Sequence, residues 1–125
     1  MFNAIGKNCN VDEETKELFF TGAASFHPSL NLSMIKKDSQ STLVKNVNCP
    51  VLMMPAGFDP PSVGANGSVL RELKKIEGVG EKSKVVEFKK VNHGFSCRGD
   101  LKKKAVKEAY DAGMKELFQF YESCL

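Results

Sequence analysis

Asp59 and His93 are the residues whose type and place in the chain most suggest chemistry. Asp59 lies two residues beyond an apolar segment at 49–57. His93 lies two residues beyond Val91, which closes a second such segment at 84–91. If both segments are strands of one parallel sheet, the two side chains open on the same rim. A carboxylate beside an imidazole fixes the ring tautomer through Nδ1 and leaves Nε2 to take a proton from a nucleophile. Each residue also has a plainer reading. Asp59 can start a turn before Pro60, and His93 can be a hydrogen-bonded loop residue. Their pairing at matching strand ends is what favours function.

The elements that would position them follow from apolar spacing. From Val51 to Met54 the chain is apolar on both alternating faces, as an interior parallel strand requires. A loop rich in Gly and Pro follows, at 57–67. Ser68 can then cap a helix carrying Val69, Leu70, Leu73 and Ile76, with Gly78 as its stop. The segment 84–91 reads as a strand with Val86 and Phe88 on one face, ending in a loop at 92–99. Asp100 can cap a final helix at 101–123, whose inward stripe is Val106, Tyr110, Met114, Leu117, Phe118 and Tyr121. Upstream, 18–26 is a short apolar run with small residues and reads as a further strand, ending at His27-Pro28. Residues 29–48 form a polar connection with room for a short helix at 39–46. Strands alternating with helices imply a parallel α/β sheet with flanking helices.

Composition narrows the classes. The 125 residues fit one domain, at 18–125, after a weakly patterned segment at 1–17. Lys and Arg number 18 against 15 Asp and Glu, a net charge of +3. The lysines are interleaved with acids, which argues against a nucleic-acid partner. No run is long and apolar enough for a membrane span, so no membrane partner is expected. Residues 1–7 lack the long apolar stretch of a signal peptide, and a cytoplasmic location is expected. Cys9, Cys49, Cys97 and Cys124 are widely spaced and form no C-x-x-C pair. With only His27 and His93 beside them, no metal site is expected, and the cysteines read as free thiols. No cofactor is expected. His27 stands at a strand end without a named partner and reads as structural. The stretch Gly78-Val-Gly-Glu-Lys-Ser83 is not a phosphate-binding loop, because Glu81 stands where Gly should precede the Lys.

Two stretches, Pro50-Val-Leu-Met-Met-Pro-Ala-Gly-Phe-Asp-Pro60 and Val85-Val-Glu-Phe-Lys-Lys-Val-Asn-His-Gly-Phe95, together resemble the dienelactone hydrolase family of α/β-hydrolases. Ala23-Ala-Ser-Phe-His-Pro-Ser29 is similar to a strand-end segment of its eukaryotic members. The resemblance runs from about Phe19 to the C-terminus. It implies a three-layer α/β-hydrolase-like fold, of which this chain resembles the C-terminal half. It also implies hydrolysis of an ester or lactone by a Cys or Ser nucleophile, with Asp59 matching the acid and His93 the base. Family substrates that are acids give Arg98 a role, since a guanidinium can hold a carboxylate through two parallel hydrogen bonds. An exposed surface Arg is the plainer reading.

The chain departs from the family at the nucleophile. A G-x-[SC]-x-G elbow, which should precede the acid and base, occurs nowhere in the sequence. Near Ile5-Gly6 the nucleophile slot falls on Asn8, and Cys9, one residue late, is a weak candidate. Gly94-Phe95-Ser96-Cys97-Arg98 begins like the motif but ends in Arg and follows the histidine. The expected partners are therefore a small ester or lactone and either a second copy or a chain supplying the N-terminal half. The rival expectation is a non-catalytic truncated paralogue or assembly module of the same fold. A partial sheet would expose an apolar edge, so low stability or association with another chain is expected.

Overall fold

The computed structural model describes Gly6, residues 10–28 and residues 40–125. Three parallel strands form the sheet in the order β1-β2-β3: β1 is Ala23–Phe26, β2 is Val51–Met54 and β3 is Lys84–Val85. Ala23 pairs with Val51 and Phe26 with Met54, while Leu52 pairs with Lys84 and Met53 with Val85. The helices are α1 (Gln40–Lys45), α2 (Ser68–Leu73), α3 (Phe95–Arg98) and α4 (Lys104–Cys124), with a 3-10 turn at Pro61–Val63.

The central strand explains the layering. Its four side chains are all fully buried. Val51 and Met53 point to one face and pack with Val44, Val63, Val69 and Leu73, which come from α1, the 3-10 turn and α2. Leu52 and Met54 point to the other face and meet Phe120 and Leu117 of α4. Period-two alternation along an all-apolar strand thus feeds two cores, and helices must cover both. Each such side chain stabilises the fold by roughly 1.5–3 kcal/mol. The parallel sheet with helices on both faces is the expected architecture.

Several expected boundaries move. The run 18–26 is a strand only from Ala23. Leu18, Phe19 and Phe20 are exposed. The reason is Asn10, which is fully buried. Its Oδ1 accepts the Phe20 N–H at 2.6 Å, and its Nδ2 donates to the Phe20 carbonyl at 2.9 Å and to Asn48 Oδ1 at 2.8 Å. The Phe20 main chain is therefore satisfied by a side chain and not by a ladder.

α2 stops at Leu73, short of Ile76, and Ser68 is its first residue with no side-chain cap. Beyond it, Ile76 bonds back to the Leu73 carbonyl and Val79 to that of Ile76, in tight turns that carry Ile76 and Val79 into the same core. Lys74 Nζ closes this segment on the Gly80 carbonyl. β3 spans only two residues, but pairing resumes as a bridge between Ala56 and Phe88.

α4 begins at Lys104 rather than 101. Asp100 does not cap it; its Oδ1 accepts the Lys102 N–H at 3.0 Å in the preceding turn. The buried stripe is also rotated. Gly113 and Phe120 are buried, with Val106, Ala109, Leu117 and Cys124 packed inward, whereas Phe118 and Tyr121 are exposed. Gly113 lets the helix approach β1, since a Cβ there would stand 2.6 Å from the Phe26 ring. The helix at 40–45 matches the short helix expected at 39–46. The connection at 29–39 lies outside the described residues.

Candidate active site

The carboxyl ends of all three strands converge on one rim, and hydrogen bonds tie their loops together. The Phe88 N–H donates to the Pro55 carbonyl at 2.8 Å, and the Gly57 N–H to the Val91 carbonyl at 2.9 Å. Gly57 is required for the second contact, because a Cβ there would stand 2.6 Å from the Lys89 carbonyl oxygen. Below the rim Phe95 is buried among Ala56, Val91, Phe26 and Phe88. Its ring centroid lies 5.9 Å from that of Phe26 and 5.3 Å from that of Phe88. This aromatic cluster fixes α3 and the loop before it against the ends of β1 and β3.

Asp59 and His93 meet on this base. Asp59 Oδ1 lies 2.5 Å from His93 Nδ1, while its Oδ2 accepts the Ala56 N–H at 2.7 Å. Both carboxylate oxygens are engaged, and the Asp59 side chain is only 3% exposed against 42% for His93. A nearly buried carboxylate thus holds a half-open imidazole by Nδ1. That leaves Nε2 as the nitrogen able to exchange a proton with a substrate. The loop behind Asp59 is braced by Glu87, whose Oε1 accepts the Ala65 N–H at 2.9 Å and whose Oε2 pairs with Lys89 at 2.8 Å. Those two bonds, with the Lys89 bond the stronger influence, hold the Glu87 carboxyl below its usual range.

His27 joins the same rim, which its sequence position did not reveal. Its Nε2 lies 2.9 Å from Ser96 Oγ, and its ring sits edge-on to His93 with centroids 4.6 Å apart. The backbone at His27 has φ +36° while its N–H still donates to the Met54 carbonyl at 2.7 Å. Such a left-handed turn at a non-glycine residue costs about 1–3 kcal/mol and persists where the surroundings enforce it. Burial chiefly, then repulsion from His93, lowers the His27 pKa below the ordinary imidazole value, against the pull of Asp59. His27 stands immediately past β1, and His93 lies in the loop beyond the Ala56–Phe88 bridge that continues the pairing of β3. Extending the strand-end rule to β1 was the signal that would have found this contact.

A sequence model of the dienelactone hydrolase family matches residues 5–123, nearly the whole chain. The chain belongs to that family. No curated protein and no solved structure gives a significant match. The family's fold is the α/β-hydrolase, and the parallel sheet covered on both faces is a small instance of it.

The remaining sequence candidates fall as follows. Arg98 ends α3 and is exposed, its guanidinium folded over Gly94, where an added Cβ would come within 3.0 Å of it. Gly94 has φ +88°, a conformation that favours glycine. No ion pair to Arg98 occurs among the described residues. Its charge reaches His27, so it belongs to the rim. Cys9 lies outside the described residues. Cys49, Cys97 and Cys124 are free thiols. Burial, then Cys124, pushes the Cys49 thiol up to about 11, which keeps it protonated at neutral pH. Exposed Cys97 has its Sγ 4.0 Å from His27 Nε2 and 3.6 Å from the Gly94 carbonyl. Among the described residues no group of three His, Cys, Asp or Glu could hold a metal, and no helix is long and apolar enough to cross a membrane.

Proposed function

We propose that the chain works in the hydrolysis of a carboxylic ester or lactone, with His93 as general base and Asp59 as its orienting acid. The observation that carries this is the 2.5 Å contact between a half-exposed imidazole and a carboxylate that is 3% exposed. His93 Nε2 takes the proton of an attacking hydroxyl, thiol or water and returns it to the leaving oxygen. Asp59 balances the transient imidazolium and keeps the ring turned. Arg98 at the rim supplies a guanidinium for a substrate carboxylate.

Support for the nucleophile is thinner at the family's usual place. The chain has no G-x-[SC]-x-G stretch, and Asn8 stands in the nearest slot, one residue before Cys9. A chain carrying the N-terminal half would complete the catalytic set, and a second copy is the partner that would cover the edge of the partial sheet. That same gap favours a second reading, a non-catalytic module of the same fold. The free thiols suit a reducing compartment, and the cytoplasm is the location we assign.

Hydrolysis of small aryl esters and of a dienelactone tests the reading, with His93→Ala and Cys9→Ala beside the parent. Loss of turnover in His93→Ala is expected. Turnover unaffected by that change removes the mechanism, and mass in solution then decides for the assembly module if a defined complex forms.

A further inference from the structure

We propose that Ser96 is an acyl-accepting nucleophile and His27 its base, forming a second catalytic pair beside Asp59 and His93. The proposal rests on the hydrolytic reading above and supplies the attacking atom that reading lacks. Ser96 Oγ and His27 Nε2 are 2.9 Å apart across 69 residues of sequence, which is hydrogen-bonding reach for a nucleophile and its base. Ser96 is half-buried on α3, whose position is fixed from beneath by buried Phe95. His27 is turned toward it by a left-handed backbone at the end of β1. Around the His27 ring stand His93, Asp59, Arg98 and Cys97. Burial together with the charges of His93 and Arg98 outweighs Asp59 and favours the neutral imidazole that a base requires. With the proton on Nδ1, Nε2 accepts the Ser96 hydroxyl.

The chemistry divides between the two pairs. In acylation, Ser96 Oγ bonds to the substrate carbonyl carbon as its proton passes to His27 Nε2. The bond from that carbon to the leaving oxygen breaks, and His27 returns the proton to the departing alcohol. In deacylation, water attacks the acyl carbon while His93 Nε2 takes one water proton. The bond from the acyl carbon to Ser96 Oγ breaks, and Oγ recovers a proton from His93. Ester and water become acid and alcohol, and both imidazoles end neutral. The 4.6 Å between ring centroids puts the second base within one water of the first.

Rapid mixing with p-nitrophenyl acetate, quenching in acid and peptide mass mapping test the assignment. The parent is expected to carry about one acetyl group per chain, on Ser96. Ser96→Ala should lower the burst at least about tenfold, and His27→Asn, which tolerates the left-handed backbone, should do the same. His93→Ala should still acylate but fail to turn over, a split that a merely structural role would not produce. In Cys97→Ala the acetyl group should still map to Ser96. Far-UV circular dichroism confirms that each variant is folded. An acetyl group on Cys97, no acetylation of the parent, or an undiminished burst in Ser96→Ala overturns the proposal. If Ser96→Ala retains full turnover while His93→Ala loses it, the Asp59–His93 reading stands and Ser96 falls. If neither change affects turnover, both fall.

Discussion

His27 and His93 share one rim and are held in opposite ways. His93 sits in a loop past β3 with its ring half-open, and its position comes from a carboxylate that is itself buried and pinned to the Ala56 main chain. His27 sits at the end of β1, where the strand's own ladder bond to Met54 persists while the backbone twists into a left-handed turn. One imidazole is placed by a charged partner, the other by backbone and a neutral hydroxyl. The sheet explains why both arrive at the same place. The loops decide what each can do there. A ring backed by a carboxylate can carry a positive charge through a reaction, whereas a partly buried ring facing another histidine works best as a neutral acceptor.

The largest effect that would break this comparison is at the carboxylate. Asp59→Asn keeps the shape but presents the wrong group to Nδ1, so ester turnover should fall by about 10²–10⁴-fold, as should that of His93→Ala. Steady-state hydrolysis measures both. Parental turnover in Asp59→Asn would show that the buried carboxylate is a structural brace and would erase the distinction between the two rings.

Phe95→Ala should strike both histidines together, because its ring packs against His27 on one side and against Phe88 and Val91, which lead into the His93 loop, on the other. A cavity in that cluster should destabilise the fold by about 3–5 kcal/mol, read as a lower urea midpoint with unchanged slope. Gly57→Val should separate them instead. Its Cβ would meet the Lys89 main chain and force the Asp59 and His93 loops apart, at about 1–3 kcal/mol of stability. Turnover should drop while acetylation of Ser96 continues, since Ser96 and His27 are positioned by β1 and α3. Equal loss of acetylation would mean that the rim behaves as a single rigid unit.

The half of the rim built on β2 and β3 was readable from residue order, and the half built on β1 was not. Val51–Met54 is apolar on every position, which leaves an interior strand as the economical reading, and Asp59 and His93 then follow from counting past strand ends. His27 obeys the same count, but its partner sits on a single helical turn that no periodicity announces. Asn10 was invisible for a related reason. A polar residue in a weakly patterned segment gives no sign that three side-chain hydrogen bonds await it. In α4 the sequence reading followed bulk and chose Phe118 and Tyr121. Packing instead set Phe120 against Leu52 and Met54 and brought Gly113 up to the Phe26 ring, while Phe118 and Tyr121 stay exposed. Contacts between distant segments, and small residues selected for closeness, are what single-sequence patterns record least.

The smallest expected effect sharpens the comparison through pH. Folding lowers the His27 pKa from its ordinary value near 6.5, chiefly by burial. The unfolded chain therefore takes up this proton first as pH falls. Between 6.5 and the lower folded value, the unfolded state binds more protons at this site, so stability must decrease on acidification. Below the folded value both states are protonated and the contribution levels off. His27→Asn removes the titrating group while tolerating the same backbone, so its urea midpoint should fall less than the parent's between pH 7.5 and pH 5. The titratable groups facing His27, namely His93, Asp59, Arg98 and Cys97, remain in both proteins. A parent and a His27→Asn variant that lose stability in parallel over this range would show that folding does not lower the His27 pKa, and the contrast between a buried neutral acceptor and a carboxylate-backed ring would disappear.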